Sequence, residues 1–196
     1  MPHPVQKNLV TSNKARRQLL AYLAAHLPRF KAPTTPSSIN TWLKNAPALR
    51  TEILDLFFRG HPKNILKEKP AIRWADRIPT GKGYTIRKLR YEGYPGLWVP
   101  ALLYEPDNIK TPAPAVLNPN GHHQGGKAMD YKQARCINLA KRGMLALNTE
   151  FIGMGELRAD AEHNRIGHLD LCGVAGIGVF YLLMKRGLDV LIAHPK

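Results

Sequence analysis

Ala115 to Lys127 reads A-V-L-N-P-N-G-H-H-Q-G-G-K, and it decides the fold. A short apolar run, Ala115-Val116-Leu117, passes through Asn118-Pro119-Asn120 into a glycine-rich loop carrying two adjacent histidines. Apolar runs of this length bounded by turn residues read as buried strands. Downstream, Met129 to Arg142 has helical spacing, with Ala134, Ile137, Leu139 and Ala140 on its buried side, and Gly143 closes it. Met144-Leu145-Ala146-Leu147-Asn148 is a second buried strand, followed by T-E-F-I-G-M-G-E, and a last helix runs from about Gly178 to Ala193. Strand, helix, strand, helix with near-continuous apolar strands predicts a parallel α/β sheet covered on both faces. Both glycine loops, Gly121–Gly126 and Gly153–Gly155, follow strands directly. They therefore fall on the carboxyl rim of the sheet, where open sheets of this class bind ligands.

Working upstream, Leu97 to Tyr104 and Tyr84 to Tyr91 alternate like strands on either side of Glu92-Gly93-Tyr94-Pro95-Gly96, predicting an antiparallel hairpin. Pro100 within it demands an edge or bulge position. Before Pro79 the texture is helical: Asn13 to His26, then a proline-rich linker from Lys31 to Ser38, then a helix capped by Ser38 and a third near Leu49 to Phe58, ended by Gly60-His61-Pro62. The division expected is a helical N-terminal extension over 1–79 and an α/β unit over 80–196.

The 196 residues suffice for one domain with a sizeable core. No apolar run reaches the length of a membrane-spanning helix. Leu19 to Ala25 follows basic residues but is too short for a secretory h-region, so the cytoplasm is the expected compartment and no membrane partner is expected. Cys136 and Cys172 have no CxxC spacing and read as buried thiols of a reducing compartment. The net charge of +15 is uneven: residues 1–100 carry 18 basic against 5 acidic side chains, and residues 101–196 carry 11 against 9. One reading is a polyanion-binding or scaffold role through Lys14, Arg16, Arg17, Arg29, Lys31, Lys63, Lys67 and Lys69. No nucleic-acid motif accompanies the charge, so no specific nucleic-acid partner is expected. Another reading is a metal-dependent hydrolase using His122, His123, His163, His168, Glu150, Glu156 and Asp170. The spacing H-E-x-x-H is absent, and neither a metal nor another cofactor is expected.

The ordered set of hairpin, strand, N-G-H-H-Q-G-G, helix, R-G, strand and T-E-F-I-G-M-G-E resembles the front half of an α/β-hydrolase, nearest to acetyl xylan esterase and dienelactone hydrolase-like enzymes. The stretch D-L-C-G-V-A-G-I-G-V-F-Y-L-L-M-K-R-G-L-D-V-L, Asp170 to Leu191, is similar to the helix preceding the nucleophile strand in those enzymes. The resemblance implies a carboxylic ester hydrolase working through an acyl-serine on a small-molecule or carbohydrate ester. It places the oxyanion donors and substrate pocket on Gly121, His122, His123 and Gln124. Glu150, Gly153, Gly155 and Glu156 are candidates for a second pocket loop, in which the two glutamates are expected first to hydrogen-bond and shape the loop rather than to face substrate.

The departure from that pattern is the missing G-x-S-x-G. The three serines, Ser12, Ser37 and Ser38, all precede the hairpin. On this reading nucleophile, acid and base lie beyond Lys196, and the chain alone is an inactive fragment. The strand at Ala115–Leu117 then has an open edge, through which the chain self-associates.

Overall fold

The computed structural model describes residues 4–26, 36–159 and 162–195, with side chains from Asn13 onward. The chain divides into two compact units, Met1–Ala46 and Pro47–Lys196. The first contains α1 (Pro4–His26), which includes the helix expected over Asn13 to His26. Residues 31–35 of the expected linker lie outside the described residues. Ser38 caps α2 (Ile39–Phe57) as anticipated, its hydroxyl accepting the Thr41 N–H at 3.2 Å. The two helices expected between Ser38 and Phe58 are one, with Pro47 inside it. Proline removes a single helical hydrogen bond and crowds the preceding turn; here it leaves the helix unbroken. Gly60, at φ +78°, supplies the left-handed turn after the helix.

The second unit is built on a five-stranded mixed sheet in the order β1-β2-β3-β5-β4, from β1 (Ile72–Pro79), β2 (Tyr84–Tyr94), β3 (Leu97–Pro106), β4 (Ala115–Asn118) and β5 (Leu145–Thr149). The β2–β3 hairpin is antiparallel, as expected; β4 and β5 pair in parallel, Val116 opposite Ala146. Strand β1 is a correction to the reading that placed 72–79 in a helical extension. It pairs antiparallel with β2 from Ile72 opposite Tyr91 to Pro79 opposite Thr85. Pro100 is a second correction, since it sits on an inner strand. It lies opposite Arg90 of β2, while the β3–β5 ladder begins one residue later, at Ala101 opposite Thr149. Its carbonyl accepts the Glu150 N–H at 2.9 Å, so its missing N–H falls where that ladder ends.

Period-two alternation sends the two faces of the sheet to different helices. Val99, Ala101 and Leu103 of β3 with Leu145 and Leu147 of β5 pack on α5 (Gly176–Ile192) through Val179, Leu183, Val190 and Leu191. Tyr104 and Ala146 pack on α3 (Asp130–Lys141) through Cys136 and Ala140. Each fully buried Leu contributes roughly 1.5–3 kcal/mol. β5 is buried at every position, as a strand covered on both faces must be. Ala134, expected on the buried side of α3, is exposed; the buried residues there are Lys132, Cys136 and Ala140, at i, i+4 and i+8. Cys172, expected buried, is exposed beyond the short helix α4 (His168–Leu171), whereas Cys136 is buried. Among the described residues no helix is long and apolar enough to cross a membrane.

Candidate functional site

β4 and β5 run side by side and end at Asn118 and Thr149, so the loops that leave them emerge together. Buried amides join the two exits. Asn120 donates through Nδ2 to Asn148 Oδ1 at 2.7 Å and to the Thr149 carbonyl at 2.6 Å. Asn148 in turn donates to the Lys127 carbonyl at 3.1 Å. The Gly155 N–H donates to the Gln124 carbonyl at 3.0 Å, tying the two predicted glycine loops directly to each other.

Glu150 holds this junction from within. It is 1% exposed. Its Oε1 accepts the Lys127 N–H at 3.0 Å and its Oε2 accepts the Lys127 ammonium at 3.0 Å. The Glu156 N–H reaches Oε2 at 3.3 Å, and the Glu156 carboxylate makes a second ion pair with Lys127. Gly126 at φ +54° and Gly155 at φ +50° line this carboxylate so closely that a Cβ on either would overlap it. Those glycines give the chain both its left-handed backbone and room for a buried ion pair. Of the predicted second-loop residues, Glu150 is therefore interior, Gly155 lies against it, Glu156 is largely exposed at the rim and Gly153 turns the backbone at φ +74°.

Gly121, His122, His123 and Gln124 are exposed. Among the described residues, none of their four backbone N–H groups donates to a protein acceptor. Their carbonyls are partly committed: that of Gly121 takes the Lys132 ammonium at 3.1 Å, and that of His123 takes the Gly126 N–H at 2.9 Å. His123 turns its ring back on the loop, Nδ1 accepting the Gly125 N–H at 3.1 Å. His122 points elsewhere. Its Nε2 lies 2.7 Å from Nε2 of His163, one ring donating and the other accepting, beside the stacked rings of Phe151 and Phe180. Among the described residues Nδ1 of His163 is buried without a partner. The two histidines of the loop thus diverge, and His168 is exposed on α4. Among the described residues no three His, Cys, Asp or Glu side chains converge as metal ligands would.

Sequence reasoning overlooked Lys127, Lys132, Asn120, Asn148 and Phe151. Lys132 carried a signal, since it continues the stripe of Cys136 and Ala140 at helical spacing. Burial holds its pKa below the usual lysine value, against the pull of Glu150.

No family model matches the sequence, and no curated relative does. Solved structures do match in fold. One is a protein assigned as an acetyl xylan esterase from Bacteroides fragilis NCTC 9343, at TM-score 0.60 and 21% identity over 91% of this chain and 49% of that one. A second is a methylesterase, at TM-score 0.56 and 21% identity over 89% of this chain and 35% of that one. The chain shares the fold of these esterases and spans about half the length of the first and about a third of the second.

Proposed function

We propose that this chain supplies the oxyanion-binding part of a carboxylic ester hydrolase of the α/β-hydrolase type, with an acetylated carbohydrate or small-molecule ester as substrate. The observation that carries the reading is the row of four uncommitted amides at 121–124, at the carboxyl end of β4 and braced from beneath by Glu150 and Lys127. Amides held in this way stabilise the negative oxygen of a tetrahedral intermediate, and one such donor is worth roughly 100- to 1,000-fold in rate. The shared fold with an acetyl xylan esterase and a methylesterase supports the reaction class.

The acyl-accepting nucleophile is not among these residues. Ser12, Ser37 and Ser38 belong to the 1–46 unit and follow no strand. Cys136 is buried within α3, its thiol pushed up to about 11 by burial, which keeps it un-ionised at neutral pH. Cys172 is exposed in a turn and lacks the strand-to-helix elbow of a nucleophile.

The test has two arms, both using p-nitrophenyl acetate. The purified 196-residue chain should show no hydrolysis above buffer. The same chain extended by a segment that carries a serine in G-x-S-x-G with its acid and histidine should hydrolyse it through that serine. Turnover by the unextended chain, or a folded extended chain without turnover, would overturn the proposal.

A further inference from the structure

We propose that Lys132 is a positioning residue which orients and polarises the Gly121–His122 peptide, making the His122 amide the principal anion donor of the loop. The inference rests on the oxyanion reading above and deepens it, because that reading leaves four amides equivalent.

Lys132 is a cation in a costly place. It is 2% exposed, and among the described residues it forms no ion pair with a carboxylate. Lys127, buried to 5%, has two. A buried ammonium without a carboxylate is expensive unless something else in the fold requires it. Among the described residues the one acceptor of the Lys132 side chain is the Gly121 carbonyl, at 3.1 Å.

The geometry of a peptide unit gives that contact its meaning. A trans peptide is planar, with its C=O and N–H pointing in opposite directions. The carbonyl of Gly121 and the N–H of His122 belong to one such unit. An ammonium fixed on the oxygen therefore aims the N–H away from Lys132 and α3, on an exposed residue whose N–H has no protein acceptor among the described residues. A full positive charge on the oxygen also draws electron density through the amide, and the N–H becomes a stronger donor to an anion.

The other three amides lack this combination. The peptide ending in Gln124 is fixed by the neutral Gly126 N–H on the His123 carbonyl, which sets direction without adding charge. The carbonyls of Asn120 and His122, which precede the amides of Gly121 and His123, accept no hydrogen bond among the described residues. Residue 122 is also restrained through its side chain, by His163 at 2.7 Å and by Phe151 with ring centroids 5.7 Å apart. The peptide is gripped on both sides with its N–H left open.

The test is nuclear magnetic resonance on the isotope-labelled chain, titrated with methylphosphonate as a stable mimic of the tetrahedral oxyanion. In the wild type the His122 amide should move most among residues 121–124. In Lys132→Met its shift should fall to a third or less, with about tenfold weaker phosphonate binding, the loss of one charge-assisted contact. Lys132→Arg should recover at least half of the response, which a purely packing role for the side chain would not produce. A control needs no variant: carbon-detected spectra should show the Gly121 carbonyl and the His122 nitrogen shifting together as Lys132 deprotonates, while the Gly155 nitrogen stays still. An undiminished His122 response in Lys132→Met, or no coupled shift with pH, overturns the inference and leaves the oxyanion reading standing. Silence of all four amides towards phosphonate in the wild type overturns both.

Discussion

The Glu150 carboxylate receives Lys127 twice, from the ammonium and from the backbone N–H, each at 3.0 Å. Both side chains are almost wholly buried, so neither charge has water to fall back on. Removing Glu150 leaves the buried Lys127 ammonium with only the largely exposed Glu156 carboxylate, and breaking a buried pair in this way costs about 3–5 kcal/mol. Glu150→Ala should lose stability of that order in urea unfolding. A loss below about 1 kcal/mol would mean that the pair does not hold the loops.

Gly126 and Gly155 should be intolerant for a reason that depends on Glu150. Alanine at either has an unfavourable left-handed backbone and a methyl overlapping the carboxylate. Each substitution should cost about 2–4 kcal/mol. In a Glu150→Ala background the overlap disappears and only the backbone strain remains. A double-mutant cycle should therefore show coupling between Gly155 and Glu150, whereas strictly additive losses would contradict this packing.

His163 joins the exposed loop to the aromatic rings beneath it. His163→Ala removes ring contacts with Phe151 at 5.5 Å and Phe180 at 5.1 Å and should cost about 1–3 kcal/mol. His163→Phe keeps a ring in place and relieves the unpartnered Nδ1, so it should stay within about 1 kcal/mol of wild type. Hydrogen exchange at the bonded loop amides of Gly125 and Gly126 is the sharper measure. It should quicken in both variants, because both lose the 2.7 Å contact to His122.

Alkaline pH should destabilise the chain through Cys136 and Tyr104. Burial is the main cause in each case, raising the thiol to about 11 from 9.0 and the phenol to about 12 from 10.0. The unfolded chain gives up these protons first, so between about pH 9 and 12 the native state binds more of them and stability falls as pH rises. Lys132 works the other way: its lowered pKa makes its contribution rise with pH below 10.5. Cys136→Ala should flatten the alkaline fall in Tm. A thiol reagent should modify only Cys172 in the native protein, and both cysteines after denaturation.

β4 pairs with β5 on one side and is the last strand of the sheet. An unpaired strand edge is a template for another chain. Sedimentation should show reversible self-association that rises with concentration, and Val116→Lys, which places a charge on that strand, should weaken it. A monodisperse wild type at millimolar concentration would rule the edge out as an interface.

The parts of the fold legible in the sequence are those where burial on both faces leaves a run of apolar residues, as in β5, or a helical stripe, as in α5. β1 escaped because seven of its eight residues are exposed, and an edge strand reading I-R-W-A-D-R-I-P has no apolar face to announce itself. Its Trp74 is covered instead by the Arg87 guanidinium, 3.9 Å from the ring centroid. α2 was divided because proline reads as a stop. In the site, the glycine loops could be found from their place after strands, but their purpose could not. Nothing in G-G-K and E-F-I-G-M-G-E shows that Lys127 and Glu150 meet, since 23 positions separate them and only the parallel pairing of β4 with β5 brings them together.

Pro100 sets a length standard for the site. Its carbonyl takes the Glu150 N–H as the closing rung between β3 and β5, and its ring nitrogen has no hydrogen with which to add another. Depth is therefore measured by counting from a proline: one residue inserted between Pro100 and Ala101 would bring Thr149 or Phe151 to the position beneath the loops, and a hydroxyl or a benzene ring would stand where the anchoring carboxylate belongs.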